Sequence, residues 1–385
     1  MKTFKIYTSF SELPKSWTQL TEHDIFLQPQ YFEALEKASP ENIQFFYLGV
    51  FKNEVLVGVA VIQRVQLYLE DMFRKTSVSC LKTFFQSIIS KVLKGNILVV
   101  GNLMHTGQHG MFYQEKNISQ QEYVDVIFEA LKALKIKIKD TQKKTIRVIL
   151  LKDFFKDDTV YNQKKLFLSN KLHHVAVQPN MIMPVKGDWL KMEDYVTNLN
   201  KKYRARYKRA KKKLGVIICS ELDLETIQNN SERLHHLYLN VCNNAKFNTF
   251  ILPKNHFYHL KQQLNNHFKV FGYYLNDELV GFYTLILNNN VLETYFLGYN
   301  VQYQYSSQLY LNMLYDMAKF GINNKFKTIV FARTAMEIKS SVGAKPQEMS
   351  LYLKHTNSFI NAILKHVFKF MNPTKEWEER HPFKS

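Results

Sequence analysis

The sequence predicts an α+β (mixed α/β) chain of two tandem domains, each a mixed, mostly antiparallel sheet flanked by helices. A repeat carries this reading. "GVFKNEVLVG" at 49–58 returns as "GYYLNDELVG" at 272–281, 223 residues later, with five of ten letters in place. Both copies set strand-like apolar and aromatic runs around Asn-Glu or Asn-Asp, residues that tolerate tight turns, so each reads as a β-hairpin. Further on, "KKTIRVILL" (143–151) corresponds to "FKTIVFART" (326–334), each a β-branched strand that follows a helix.

The elements follow in the same order in both halves. After the first hairpin come a strand, "NILVVGNL", and a helix over roughly 120–137 with apolar residues at three- and four-residue steps. After the second come "NVLETYFLGYN" and a helix over roughly 307–321. The first copy carries an insertion near 65–96, with an amphipathic helix near 78–93. Order, spacing and letters together indicate a tandem duplication. The boundary lies near 172–180, giving domains 1–175 and 176–385. The second domain opens on a long helix, roughly 188–214. Val196, Leu199, Tyr203, Tyr207, Ala210 and Leu214 form its apolar stripe, and the rest of its later surface, Lys201 to Lys213, is basic. Gly215 ends it. "NSFINAILKHVFKFM" reads as a C-terminal amphipathic helix, followed by a tail that docks through Trp377.

Bulk properties narrow the function classes. A chain of 385 residues favours two domains. An apolar fraction of 46% with 29 Phe and 22 Tyr builds sizeable cores, which excludes a disordered or fibrous protein. Cys80, Cys219 and Cys242 are odd in number and far apart, so neither a disulfide framework nor a zinc site is expected. The N-terminus lacks a signal-peptide core and no run of 18 apolar residues occurs, so a cytoplasmic protein with no transmembrane segment is expected. A net charge of +19 draws anions, or reflects a basic drift of a Lys- and Asn-rich surface. Nothing in the sequence specifies the oligomeric state.

Several segments bear on chemistry. The basic helix 201–213 has a charge density suited to tRNA phosphates, but Tyr203 and Tyr207 fall on its apolar stripe and face inward. Ser306 and Ser307 are placed to cap the following helix, whose free N–H groups could also meet an anion. Arg333, Glu337 and Lys339 cluster after a strand in "ARTAMEIKSSVGA": two cations for a carboxylate or phosphate, one proton acceptor, or simply a solvated Glu-Lys pair. Glu293 and Tyr295 alternate along the third strand and so share a face, for chemistry or for packing. "GNLMHTGQHG" (101–110) is a Gly-rich loop with His105 and His109; no helix or carboxylate supports a metal pair there, so no metal is expected.

The order hairpin, strand, helix, strand is that of the GNAT acyltransferase fold. Through "KKYRARYKRAKKK", "LETYFLGYNVQYQYSSQLYLNMLYDMAKFG" and "FARTAMEIKSSVGAKP" with "WEERHPFK", the second half resembles the GNAT-type domain of FemAB-like and peptidoglycan-biosynthesis-associated transferases. The resemblance covers roughly 190–385; the internal repeat extends it to the first half. It implies N-acyl transfer from acyl-coenzyme A to a small-molecule or peptide amine by direct attack, or alternatively a FemAB-like transfer from aminoacyl-tRNA to a cell-wall precursor or peptide amine. It also implies site roles for Tyr295, Arg333, Glu337 and Lys339, with Tyr305, Ser306, Ser307 and Gln308 meeting the donor. A non-catalytic binding protein is the remaining alternative. The usual pyrophosphate loop, Arg/Gln-x-x-Gly-x-Gly/Ala, is absent: Gln304-Tyr305-Ser306-Ser307-Gln308 contains no glycine.

Overall fold

Both copies of the repeated decapeptide fold as tight hairpins. Asn53 and Glu54 have φ of +50° and +66°, Asn276 and Asp277 of +47° and +63°. Two consecutive left-handed residues make a type I′ turn, whose twist matches that of the flanking strands. The computed structural model describes residues 1–67, 95–158, 164–244, 248–371 and 377–384, so the expected helix near 78–93 and Cys80 lie outside the described residues. Two units separate: Met1–Val177 with Lys246–Ile251 and Glu348–Thr374, and Gln178–Ala245 with Leu252–Gln347 and Lys375–Ser385.

In chain order the first unit contains β1 (Lys2–Tyr7), α1 (Lys15–Leu20), α2 (Pro29–Lys37), β2 (Ile43–Lys52), β3 (Val55–Leu67), β4 (Gly95–Val100) and β5 (Met111–Tyr113). Then come α3 (Gln120–Gln142), β6 (Ile146–Phe155), α4 (Lys164–Ser169) and the start of β7 (His173–Pro184). The second unit takes the rest of β7, then α5 (Met192–Asn198), α6 (Lys201–Leu214), β8 (Ile218–Glu221), α7 (Leu224–Asn229), α8 (Ser231–Asn244) and α9 (His256–Leu264). It continues with β9 (Phe268–Leu275), β10 (Glu278–Asn288), β11 (Val291–Tyr299), α10 (Val301–Ser306), α11 (Leu309–Asn323), β12 (Thr328–Val330) and α12 (Met336–Ser340). From Glu348 onward β13 (Lys345–His355) belongs to the first unit, as does α13 (Ser358–Met371).

The strand orders of the two units correspond strand for strand. The first runs β1-β2-β3-β4-β6-β13, with β5 also on β3; the second runs β8-β9-β10-β11-β12-β7. All neighbours are antiparallel except β4 with β6 and β11 with β12. The sixth strands are exchanged in sequence: β13 follows the second unit's elements but pairs with β6, while β7 precedes them and pairs with β12. A bulge is duplicated too. Val57 and Val280, both ninth in the decapeptide, are skipped by the hairpin register. Their carbonyls accept from Gln114 N (2.9 Å) and Asn300 N (2.8 Å), the residues just after β5 and β11.

Each unit has its own core. Leu48, Ala60, Leu98 and Leu151 of the first sheet pack on Tyr123, Ile127 and Leu131 of α3, whose start is fixed by a capping box of Ser119 and Glu122. In the second, Tyr283, Leu285 and Ile329 meet Met313, Leu314 and Ala318 of α11. Each fully buried Leu of this kind contributes about 1.5–3 kcal/mol.

Two expectations change. The long helix at 188–214 is broken into α5 and α6 at Leu199–Asn200. Asn200 Oδ1 caps α6 by accepting from Tyr203 N (3.2 Å), and the C-terminal tail crosses the break, with Asn200 N donating to Pro382 O (2.9 Å) and Lys384 N to Asn198 O (3.0 Å). The apolar stripe holds: Leu199, Tyr203 and Ala210 are buried, and Val196, Tyr207 and Leu214 pack against the same core. Trp377 and Phe383 of the tail also pack there. Secondly, neither Ser306 nor Ser307 caps α11. Ser306 Oγ donates to Gln302 O (3.2 Å), Ser307 closes α10, and it is Gln304 Oε1 that accepts from Tyr310 N (3.2 Å). Gln308, at φ +49°, forms the corner between the two helices.

Candidate active site

The second unit's sheet opens at its parallel pair. Val291, Leu292 and Glu293 of β11 face Thr328, Ile329 and Val330 of β12, and there the pairing stops. β11 continues to Tyr299, whereas the chain after Val330 turns away, Phe331 N donating to Met181 O (2.8 Å). Just past this split the backbone is strained. Ala332, Thr334 and Ala335 have φ of +57°, +69° and +47°. For a β-branched residue such as Thr334 this is a genuine outlier, and such strain persists only where surrounding contacts enforce it.

Lys339 enforces it. Its Nζ donates to Ala332 O (3.2 Å) and Arg333 O (2.7 Å), and the side chain is buried. Burial pushes the Lys339 ammonium down to about 7. Arg333 therefore sits on a turn stapled from behind by a buried amine. Glu337, in the first turn of α12, is exposed, 3.9 Å from Arg380 of the tail. Arg380 N also donates to Ser340 Oγ (3.0 Å), and a Cβ on Gly343 (φ +106°) would meet the Phe383 ring at 2.5 Å, so the tail closes directly over the segment after α12.

On β11, Glu293 is buried at the last paired position, and the register against β10 shifts between Tyr283 and Leu285. Tyr295 and Phe296 together stand opposite the single residue Thr284, one extra residue on β11, so strict alternation with Glu293 ends there. Tyr295 Oη lies 3.2 Å from Nε2 of His256, and the two rings stack at 5.9 Å. His256 is wholly buried at the start of α9. No spacing in the sequence links His256 to Tyr295; only the sheet brings them together. Of the other expected residues, Tyr305 is 80% exposed, and Ser306, Ser307 and Gln308 form the α10–α11 corner. On α6, Lys201, Lys202, Lys208, Arg209, Lys212 and Lys213 are exposed, while Lys211 pairs with Asp316 of α11 at 2.5 Å.

The first unit fills the matching position differently. Ala60 faces Met111 as Tyr283 faces Leu297, and Ile62 faces Val100 as Leu285 faces Thr294. Between these anchors the second unit has two residues, Tyr295–Phe296, and the first has ten, Gly101–Gly110. The loop holds His105, which is buried, and His109, whose Nδ1 lies 2.7 Å from Asp24 Oδ2. A carboxylate does support a histidine here, from a segment far away in sequence. Among the described residues no group of three or more His, Cys, Asp or Glu is placed to hold a metal ion.

No family profile and no curated sequence matches the chain. Solved structures do. The chain is similar to FemX at 11% identity, covering 95% of this chain and 100% of that one with a TM-score of 0.53. It is similar to a tandem GNAT protein from the clavulanic acid biosynthesis pathway at 7% identity, covering 93% and 99% with a TM-score of 0.55. The fold is a FemAB-like tandem GNAT fold. In GNAT terms the hairpin β9–β10, the bulged β11, α11 and β12 form the core of the second unit, and β2–β3, β4–β5, α3 and β6 that of the first. No helix among the described residues is long and apolar enough to cross a membrane.

Proposed function

We propose that the chain is an N-acyltransferase whose second unit moves an acyl group from acyl-coenzyme A to an amine by direct attack. The observation that carries this reading is the split after Glu293 and Val330, bordered by Tyr295 on one strand and by the strained turn bearing Arg333 on the other. An extended donor arm suits such an opening, because strand edges bind extended chains. The amine nitrogen attacks the thioester carbonyl carbon. The C–N bond forms, the C–S bond breaks, the amine gives up a proton and the departing thiolate takes one.

Arg333 holds an anionic part of the donor, and Lys339 supports it by fixing the turn. Glu337 takes the amine's proton, and Tyr295, positioned by His256, protonates the thiolate. The corner Tyr305, Ser306, Ser307 and Gln308 meets the donor. The six exposed cations of α6 favour a second reading in which the donor is an aminoacyl-tRNA and the leaving group a ribose hydroxyl. The test is incubation of the full chain and its Arg333→Ala variant with labelled acetyl-coenzyme A or charged tRNA, over a panel of amines. Transfer from one donor, lost in the variant, selects between the readings. If neither donor binds or is consumed, both readings fail and a binding protein is left.

A further inference from the structure

The loop Gly101–Gly110 is held as firmly as a structural element. Its ends meet at Val61: Gly101 N donates to Val61 O and Val61 N to Gly110 O, both at 2.8 Å. A Cβ on Gly110 would overlap the Gly101 backbone. From β6, Lys152 Nζ donates to His105 O (2.8 Å) and pairs with Asp153, whose Oδ2 also accepts from Gly107 N (3.0 Å). Asn102 Oδ1 accepts from Gln63 Nε2 (2.8 Å) and Met104 N (2.9 Å), and Tyr31 Oη lies 3.2 Å from His105 Nδ1.

Within this frame some buried polar atoms have no hydrogen-bond partner among the described residues: His105 Nε2, both ends of the Gln108 carboxamide and Asn102 Nδ2. His105 is 8% exposed and Asn102 1%. Leaving such a group dry costs about 1–3 kcal/mol, and the backbone of the loop is pinned at both ends and in the middle.

We propose that this loop is a binding site for a neutral amide group, with the Gln108 carboxamide as its two-point partner and His105 Nε2 beside it. The groups on offer select a neutral ligand: Lys152 is already paired with Asp153, and the Gln108 carboxamide is itself uncharged. Burial first, then Lys152 and His109, hold the His105 imidazole well below its usual range, so it stays uncharged. Gln108 offers one N–H and one C=O, and an amide, in a peptide bond or a small molecule, returns the complementary pair. The site lies wholly in the first unit and does not depend on the acyltransferase reading.

The probe is N-acetylglycinamide, titrated into the full chain while the Gln108 side-chain amide and the His105 ring are followed by NMR. The expected result is a saturable shift of both. Acetate and ethylamine, charged compounds of similar size, bind at least about tenfold more weakly, and so does the probe to Gln108→Leu. Gln108→Glu, which keeps the shape and loses the donor, gives the same loss and serves if the leucine variant folds poorly. Absence of a saturable shift, equal affinity in both variants, or long-lived waters on Gln108 that the probe does not displace each overturns the proposal.

Discussion

At one point in the strand that follows each hairpin the two units part company: the first has ten residues there and the second two. Up to that point they agree, with a type I′ turn, a bulge at the ninth residue of the repeat and a parallel pair to the next strand. Beyond it the first unit closes the position with a loop and the second leaves a split; a left-handed residue follows the parallel pair in both, Asp153 in one and Ala332 in the other, and the second adds Thr334 and Ala335. Each unit also buries one lysine nearby. Lys152 has Asp153 for a partner, whereas the bonds of Lys339 go to two backbone carbonyls. A duplicated scaffold thus keeps what its register requires and varies where the strands separate. A charge pair stabilises the filled version, and strain marks the open one.

The sharpest way to break this comparison is to remove the first unit's counter-charge. Asp153→Asn keeps a residue that tolerates φ of +54° but leaves Lys152 buried beside a neutral amide. Breaking a buried pair on one side costs about 3–5 kcal/mol, while replacing both partners by apolar groups is often close to neutral. Urea unfolding should show a large loss for Asp153→Asn and recovery of most of it in Lys152→Met/Asp153→Asn. A single variant as stable as the parent would mean that the pair does not hold the loop.

Gly110→Ala tests the same loop by shape. The added Cβ meets backbone, which cannot rotate away. A cost near the upper end of the usual overpacking range, about 3 kcal/mol, is expected in thermal or urea unfolding.

These tests fall on features with very different visibility in the sequence. The hairpins were legible because Asn-Glu and Asn-Asp announce their own turn, and the duplication because five letters recur in register. The stripe on α6 was legible for the same local reason. The break at Asn200 was not, since the periodicity runs straight through it and the cause is the tail residue Pro382, far along the chain. The exchange of β7 and β13 left no trace either, because strand partners are set by pairing and not by local letters. At the candidate site, Arg333 and Lys339 stood out as charges after a strand, but the stapling of their turn depends on three-dimensional contacts. His256, Asp24 and Asp153 could not be connected to Tyr295, His109 and the loop by any spacing rule.

Lys339 permits a gentler test, through pH. Its folded value of about 7 lies below that of a free lysine, so between roughly 7 and 10.5 the unfolded chain holds a proton that the folded chain does not. Folding stability contributed by this group therefore rises with pH across that window, by up to about 1.4 kcal/mol per pH unit, and is flat below it. Lys339→Met lacks this slope. Relative to the parent, the variant should be best placed near pH 6 and lose that advantage steadily toward pH 10, in urea unfolding at several pH values. Parallel profiles would mean that the amine is not neutral in the folded protein. Activity should fall at every pH, because the turn bearing Arg333 loses both carbonyl contacts.

The smallest effects concern the basic helix, where neighbours in sequence have opposite environments. Lys211 is partly buried against Asp316, whose other oxygen accepts from Tyr273 Oη at 2.6 Å. Lys212 and Lys213 are exposed. Lys211→Ala should cost about 1 kcal/mol, since the pair is only partly screened from solvent, and Lys212→Ala and Lys213→Ala should each change stability by less than about 0.5 kcal/mol. Binding reverses the ranking if the helix contacts nucleic acid. Each phosphate-contacting lysine removed then lowers the slope of log affinity against log salt by about 0.7–0.9. Loss of slope at Lys212 and Lys213 with unchanged stability would favour the aminoacyl-tRNA reading. A salt dependence unmoved by either substitution would leave the exposed face as solvated charge and favour acyl-coenzyme A.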